Sequence, residues 1–355
     1  MALIDKGHEV HVCAATMGSD FSNLLTSSGI IFHEVPIKRG LKPVNAYRSV
    51  SRIIKIIKQH EFEIIHTHTP TGGLVGRIAA RWVKHKKVFH TTAGLYFHEN
   101  MPTHKYKFFS SIERFLTSKT QILFSPNHED IKTCKDLNIK PLREIVYCGP
   151  AGVDLKNFEM SNKQNVRQAF AKQLEISEDV ISIGLIARLE YEKGYKEFID
   201  VIERLALNGK NVIGISVGDG RDKEQIVAYA SEKKESTIKF LGYRNDVPEI
   251  MQALDILLFP SYREGLPIVT LEAMASKVPV VAYDIRGCRE SIDNNVTGFL
   301  VPFGNNDELY NKTESLVIDE ILREKLGLNG RDRVERLFTR EMHVKRQLHY
   351  YEQYI

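Results

Sequence analysis

The chain has 355 residues, of which 43% are hydrophobic and 26% charged, and its formal net charge is +4. This composition is typical of a soluble folded protein of about two domains, and it excludes disordered, collagen-like and disulfide-scaffold proteins. The four cysteines lie far apart, every long apolar stretch is broken by charge, and no cationic segment precedes an apolar run at the N-terminus. The sequence therefore predicts no structural zinc, no membrane-spanning segment and no signal peptide.

In the first half, β-branched runs alternate with amphipathic segments. The predicted strands cover residues 10–14, 30–35, 63–67, 88–92, 122–126 and 145–148, and the predicted helices cover 44–60, 74–84, 105–118 and 128–137. This alternation predicts a parallel sheet with helices on both faces.

The start of the chain departs from this pattern. Residues 1–7 are typical of the last turns of a helix closed by Gly7, whereas a doubly wound domain normally opens with a strand. We predict that the first strand, central in such a sheet, is missing together with its glycine-rich turn. About 20–30 further residues are then expected ahead of Met1, and the extended protein should melt higher. The alternative is a domain that simply begins with a helix.

A turn-rich stretch at 148–154 is followed by a second alternation. Predicted strands cover 181–187, 212–217, 238–241, 256–260 and 280–283, and predicted helices cover 193–207, 226–234, 247–253 and 268–276. The fold class predicted is α/β, with two Rossmann-like doubly wound domains facing a cleft, since such sheets bind ligands at the carboxyl ends of their strands. The domains are placed at 1–165 and 166–340, and a C-terminal helix at 341–355 is expected to pack back toward the first.

The most informative segment is a strand–loop–helix over residues 256–276. Glu264 lies in the loop, and Glu272 lies about five residues into a helix that starts near Pro267. The N-terminus of a helix attracts anions, so two carboxylates flanking it fit the hydroxyl-bearing ends of a sugar nucleotide around its diphosphate. The alternative is a surface loop followed by a solvated glutamate.

Two cations, Arg188 and Lys193, follow the strand at 181–187, and the sequence has no Asp-x-Asp pair to hold a metal. Arginine and lysine would neutralise a diphosphate, although an ordinary solvated basic loop is the alternative. Gly218 lies in a glycine turn after another strand and is a weak signal by itself.

In the first domain, His66 and His68 close a strand, and Gly72 opens the following helix. Alternate residues of a strand share a face, which allows a metal, but no third ligand is evident. Phosphate or hydroxyl contacts at the helix start are therefore favoured. His98 follows the next strand, where a surface histidine and a substrate contact are equal alternatives.

Taken together, these motifs resemble the family 4 retaining glycosyltransferases of the GT-B fold. Glu264 and Glu272 reproduce the family's EX7E motif, and the resemblance extends over nearly the whole chain. It also includes the segments 66–70, 149–154, 188–194, 218–220 and 287–302. The nearest likeness is to the bacterial branch that builds capsule, exopolysaccharide or lipid-linked glycans.

The resemblance implies transfer of a sugar, often N-acetylated, from a UDP-sugar to a lipid-linked or growing polysaccharide. It implies retention by same-face attack without a protein nucleophile, no obligatory metal or other cofactor, and no nucleic-acid partner. The roles it implies are catalytic for Glu264, Arg188 and Lys193; donor-binding for Gly218, Tyr243, Arg244, Gly265, Leu266, Pro267, Ile268 and Glu272; and acceptor-side for His68, Gly72 and His98. One departure is Ala93, which stands where the family usually has a histidine.

Positive charge is concentrated in residues 1–150, which hold 21 Lys and Arg against 12 Asp and Glu. We expect this part to lie on the anionic inner face of the plasma membrane, in the cytoplasm, while chance surface charge is the alternative. The candidate contacts are Lys38, Arg39, Lys42, Arg48, Arg52, Lys105 and Lys107, with Tyr106, Phe108 and Phe109 entering the interface or, alternatively, the core.

Two other functions remain open from the sequence. A sugar-nucleotide epimerase or hydrolase of similar architecture would turn over the donor without an acceptor. A non-catalytic glycosyltransferase-like subunit is favoured slightly by Ala93, and it is disfavoured by the intact Glu264 and Glu272 pair with Arg188 and Lys193.

Overall fold

The computed structural model describes residues 1–15, 19–37, 43–99, 101–159, 163–235 and 237–355. The chain divides into two compact units, the first formed by Met1–Gly149 with His343–Ile355 and the second by Pro150–Met342. Residues 150–165, which the sequence-based division placed in the first domain, group with the second unit. The reason is a backbone clasp: the Val153 N–H donates to the Phe338 carbonyl at 2.9 Å, and the Arg340 N–H donates to the Val153 carbonyl at 3.0 Å.

The first unit alternates strands and helices along the chain. Its strands are β1 (His11–Ala14), β2 (Ile31–Glu34), β3 (Ile65–His68), β4 (Val88–Thr91), β5 (Ile122–Ser125) and β6 (Glu144–Tyr147). Its helices are α1 (Ser19–Ser27), α2 (Pro43–Gln59), α3 (Pro70–Trp82), α4 (Thr103–Thr117) and α5 (His128–Asp136). The six predicted strands and four predicted helices of this part are confirmed, whereas α1 was not predicted.

Residues 1–7 form successive turns and not the predicted helix. Gly7 has φ of +86°. Its N–H donates to the Ile4 carbonyl at 2.8 Å, and the His8 N–H donates to the Leu3 carbonyl at 3.1 Å. This pair of hydrogen bonds is the Schellman pattern by which a glycine ends a helix. The sequence around Gly7 therefore predicted the turn correctly, but the helix predicted ahead of it was wrong.

The strands of the first unit form two parallel sheets. β1 pairs with β2, and β3, β4, β5 and β6 follow one another in a second sheet. Among the described strands, no ladder joins β1 to β3, which is the place where the prediction put a central strand. One side of the unit buries Val35 together with Ile53 and Ile56 of α2 and Val75 and Ala79 of α3.

The second unit is a larger doubly wound sheet. Its strands are β7 (Ile181–Ile186), β8 (Val212–Val217), β9 (Ile238–Phe240), β10 (Ile256–Phe259), β11 (Val280–Tyr283) and β12 (Gly298–Val301). The helices are α6 (Lys163–Leu174), α7 (Tyr195–Leu207), α8 (Lys223–Ser231), α9 (Val247–Ala253), α10 (Ile268–Ala275), α11 (Arg286–Ser291), α12 (Asn306–Ile318) and α13 (Glu320–Leu337). The last helix, α14 (Arg340–Glu352), belongs to the first unit from His343 onward. The six strands pair in parallel in the order β12-β11-β10-β7-β8-β9. Strands β8, β10 and β11 are buried along their whole length, as expected for a sheet covered on both faces.

The end of the chain belongs to the first unit. Tyr350, Tyr351 and Tyr354 pack against the buried side chains of β4, β5 and β6, and the Lys87 ammonium donates to the Tyr354 carbonyl at 2.5 Å. No helix among the described residues is long and apolar enough to cross a membrane.

Candidate functional site

The strand order of the second unit places a crevice at the carboxyl ends of β7 and β10. The chain winds from β7 through β8 to β9 on one side and from β10 through β11 to β12 on the other. Loops that leave β7 and β10 at this reversal turn in opposite directions, and ligands of doubly wound sheets bind there. The residues predicted as catalytic lie in these two loops.

Lys193 and Glu264 meet at this reversal. The Lys193 Nζ lies 2.7 Å from the Glu264 Oε1, and the two residues are 71 positions apart in the chain. The Ser261 hydroxyl donates to the same carboxylate oxygen at 2.8 Å. The two side chains are only 12% and 17% exposed, so the pair is held in a fixed and partly desolvated geometry.

The two loops are in close contact through their backbones. The Tyr262 N–H donates to the Glu192 carbonyl at 2.9 Å. Gly194 has φ of +76°, and a Cβ there would lie 2.0 Å from the Pro260 carbonyl oxygen. Only glycine allows this approach, which places Lys193 over the loop that carries Glu264.

Arg188 lies directly beyond β7 with its side chain 43% exposed. Its guanidinium is bonded to the Glu190 carboxylate, and it lies 3.7 Å from a Glu192 oxygen. An entering diphosphate would therefore compete with Glu190 for this cation. The sequence reading missed this internal carboxylate, although it is only two residues away.

Helix α10 offers an anion site at its first turn. The helix begins at Ile268, and its N-cap, Pro267, supplies no side-chain hydrogen bond. The free N–H groups of a first turn carry partial positive charge and bind phosphate or hydroxyl oxygens. Of the predicted neighbours, Gly265 lies in the half-buried loop, and the Leu266 side chain packs against the core.

Glu272 lies about one turn further along α10. Its carboxylate is half-buried and makes no hydrogen bond or ion pair with any described residue. Burial raises the pKa of this carboxyl group, and no other cause contributes. A desolvated carboxylate without a partner is poised to accept hydrogen bonds from ligand hydroxyls.

Gly218, Tyr243 and Arg244 lie together at the ends of β8 and β9. The Gly218 N–H donates to the Gly242 carbonyl at 2.8 Å, and the Tyr243 side chain next to it is 76% exposed. Arg244 is paired within its own loop, because its Nε donates to an Asp246 oxygen at 2.7 Å, which lowers the pKa of that carboxyl group. The sequence reading missed Asp246 as this partner.

The predicted acceptor-side residues belong to the first unit. His68 ends β3 and is exposed, Gly72 lies in the first turn of α3, and His98 is half-buried in the segment after β4. Their neighbour His66 has a structural role, since its ring nitrogens contact the Thr91 hydroxyl at 2.7 Å and the Tyr351 hydroxyl. Desolvation, aided by His68, holds the pKa of His66 well below its usual range, so the ring is neutral.

The basic surface predicted for membrane contact is only partly described. Lys38, Arg39 and Lys42 lie outside the described residues, whereas exposed positions hold Arg48, Arg52, Lys105 and Lys107. Phe108 is 61% exposed. For Tyr106 and Phe109 the structure supports the core alternative, because both pack against the buried cluster that contains Leu95, Phe97 and Leu123. Helical spacing explains the difference, since 106 and 109 share one face of α4 and 108 lies on another.

Comparison with known families accounts for nearly the whole chain. The model for glycosyl transferases group 1 matches residues 166–333, and the model for glycosyltransferase family 4 matches residues 1–156. The first match contains the site built around Lys193 and Glu264. The second contains the strands and helices that carry His68 and Gly72.

Individual proteins agree with the family models. The chain is 27% identical to the capsular polysaccharide biosynthesis glycosyltransferase CapM of Staphylococcus aureus, over 95% of this chain and 88% of CapM. It is also 27% identical to the UDP-Gal:alpha-D-GlcNAc-diphosphoundecaprenol alpha-1,3-galactosyltransferase of Escherichia coli, over 80% of this chain and 74% of that enzyme. The structure of Anabaena HepE in complex with UDP and glucose superimposes with a TM-score of 0.78 at 20% identity, over 96% of this chain and 91% of HepE. The predicted fold of two Rossmann-like domains is confirmed.

Proposed function

This chain belongs to the family 4 glycosyltransferases, and we propose that it transfers an N-acetylated hexose from a UDP-sugar, with retention, to a lipid-linked or growing surface polysaccharide. The observation that carries the proposal is the Lys193–Glu264 pair beside the uncapped start of α10 and the unpartnered Glu272. Related enzymes named for capsular polysaccharide and for a diphosphoundecaprenol acceptor support the substrate class.

The donor is proposed to lie along the loops that follow β7 and β10. The diphosphate receives charge from Arg188 and Lys193 and N–H donors from the first turn of α10. Glu272 accepts hydrogen bonds from the ribose hydroxyls, and the exposed Tyr243 lies beside the base. Glu264 and the backbone of residues 265–268 hold the donor sugar, since Oε2 of Glu264 has no hydrogen-bond partner among the described residues.

In the proposed reaction, the bond between the anomeric carbon and the phosphate oxygen breaks while the acceptor hydroxyl attacks from the same face. The acceptor proton passes to the departing phosphate oxygen, so atoms and charges balance without a protein nucleophile. Negative charge grows on the leaving UDP, and Arg188 and Lys193 stabilise it more in the transition state than in the bound donor. These two cations supply the charge neutralisation for which other transferases use a metal, so we propose that catalysis needs none.

The acceptor is proposed to reach the first unit at the cytoplasmic membrane surface. The outward side of α2 carries Arg48, Arg52, Lys55 and Lys58 in exposed positions, and α4 exposes Lys105, Lys107 and Phe108. Each cation near an anionic leaflet contributes about 1 kcal/mol, an attraction that salt screens. Flotation with anionic and neutral liposomes at low and high salt tests this, and equal recovery on both lipids would reject electrostatic docking.

The activity is tested with a panel of UDP-sugars and membrane lipid extract, measuring UDP release and the anomeric configuration of the product by NMR. The proposal expects acceptor-dependent UDP release, a product with the donor's anomeric configuration, and activity that persists in EDTA. Donor turnover without an acceptor would instead identify an epimerase or hydrolase. UDP binding without any turnover would identify a non-catalytic subunit, and loss in EDTA with rescue by Mn²⁺ would reject the metal-free reaction.

A further inference from the structure

Three histidines of the first unit converge although they are distant in the sequence. His11 lies on β1, His33 on β2, and His60 directly follows α2. Each offers a ring nitrogen, and these nitrogens all lie within 4.8 Å of one another. The three residues belong to separate elements, so the convergence is a product of the tertiary fold and gives no local sequence signal.

The side of the sheet on which they meet follows from strand alternation. Cys13, two residues from His11, packs against the buried cluster that includes Ile53 and Ile56 of α2. Residues two apart on a strand share a face, so His11 lies on the side that α2 covers. In the parallel ladder Cys13 is opposite His33, which places the two histidines diagonally across neighbouring strands. The C-terminal end of α2 then brings His60 over the same face.

The hydrogen bonds give His11 a definite tautomer. Its Nε2 lies 2.8 Å from a Glu9 carboxylate oxygen, and its Nδ1 lies 2.8 Å from the His33 Nε2. A carboxylate can only accept, so Nε2 carries the proton and the Nδ1 lone pair points at the other histidines. A histidine whose outer nitrogen donates to a carboxylate while its inner nitrogen faces the cluster is the usual arrangement of a metal-bound imidazole.

We propose that His11, His33 and His60 bind one divalent transition-metal ion, with zinc as the preferred ion. Glu9 orients His11 for this role. Imidazole nitrogens suit zinc, nickel or copper, whereas magnesium and calcium require oxygen ligands. Zinc holds imidazole nitrogens at about 2.0–2.1 Å, which sets nitrogen–nitrogen distances of about 3.3 Å in a tetrahedral site. In the structure the His11 Nδ1 and His33 Nε2 atoms are 2.8 Å apart, and the three ligand nitrogens all lie within 4.8 Å of one another. This range includes the distance that zinc requires, so small ring movements would complete the site and leave the fourth position to water.

Such an ion would join β1, β2 and the end of α2, elements that contain none of the residues assigned to the donor. We therefore expect the ion to act on the stability of the first unit, and its effect is measured there. An ion that binds only the folded state stabilises it by RT ln(1 + [L]/Kd), so the melting temperature rises with the free ion concentration. UDP binding by the second unit should not depend on it.

The test uses the full chain freed of metal by chelation and dialysis. Zn²⁺ is titrated by calorimetry and Co²⁺ by its visible absorption, and we expect one equivalent with a tetrahedral cobalt spectrum and a raised melting temperature. His33→Gln and His60→Gln should each weaken binding at least tenfold, and Glu9→Gln should do so by a similar factor. His104→Gln, at an exposed position of α4, is the matched control and should bind as the unaltered chain does.

Binding that is absent from the unaltered chain, or that is equal in the variant with all three residues changed to Gln, would overturn the proposal. Circular dichroism without metal shows whether each variant folds. If a variant does not, histidine ring-nitrogen NMR of the unaltered chain decides the matter. Zinc should then shift the resonances of three histidines, and unchanged resonances would reject the site.

Discussion

Replacing Glu272 by Gln should change ligand affinity and stability in opposite directions. The substitution keeps the shape of a half-buried side chain and removes a charge that has no partner among the described residues. In the UDP complex the carboxylate would accept hydrogen bonds from ribose hydroxyls, and a hydrogen bond to a charged group contributes about 1.5–3 kcal/mol, against about 0.5–1.5 kcal/mol for the neutral amide oxygen of Gln. The difference of about 1–1.5 kcal/mol means that Glu272→Gln should weaken UDP binding by about 5- to 12-fold.

In the ligand-free protein the same change should raise the melting temperature. Burial raises the pKa of Glu272, which means that the folded state disfavours the charged carboxylate relative to the unfolded chain. The contribution of this group to stability is complete below its unfolded pKa of about 4.3 and is lost as pH rises through the folded pKa. The gain from Gln should therefore be present at pH 7 and disappear below about pH 4, where glutamate is neutral in both states.

Calorimetric titration of UDP and thermal melts at pH 7 and near pH 4 measure both effects. Glu324→Gln, at an exposed position of α13, is the control and should change neither quantity. Unchanged UDP affinity in Glu272→Gln would refute the ribose contact. A lower melting temperature at pH 7 would refute the claim that the carboxylate is unpartnered in the free protein.

Lys193→Ala should lower kcat by about 100- to 1,000-fold and change KM little, because the charge it stabilises develops on the leaving diphosphate; steady-state kinetics showing only a raised KM would make it a binding contact. Gly218→Ala should destabilise by about 2–3 kcal/mol in denaturant unfolding, since its Cβ would lie 2.0 Å from a backbone oxygen at φ of +142°. Gly209→Ala, with φ of +71° and open space around it, should cost only about 1 kcal/mol, and equal costs would contradict the close approach. Burial by itself would raise the pKa of Glu113, but the Arg77 guanidinium, 2.6 Å away, outweighs that effect and lowers the pKa of Glu113 to about 2. Its stabilisation, of order 3 kcal/mol, is present above about pH 4.5 and lost as pH falls toward 2, so Glu113→Gln should flatten the decline in stability over that interval.

The chemistry predicted from the sequence depends on local spacing. The eight-residue separation of Glu264 and Glu272 is fixed by the strand–loop–helix between them, so the placement of one carboxylate in the loop and the other on α10 could be predicted. The strand and helix positions followed from hydrophobic periodicity, because runs of β-branched residues and amphipathic segments report their structure locally. Pro267 likewise predicted a helix that starts near it, and in the structure this residue is the N-cap of α10.

Contacts between distant segments were decided only by the tertiary structure. The Lys193–Glu264 pair depends on β7 and β10 being neighbours, and no local pattern specifies that order. For the same reason, His11, His33 and His60 gave no metal-ligand spacing in the sequence but meet beneath α2. Pairing across a sheet depends on strand order and chain reversal, which the whole fold selects through burial of its core, whereas periodicity and turn chemistry act over a few residues.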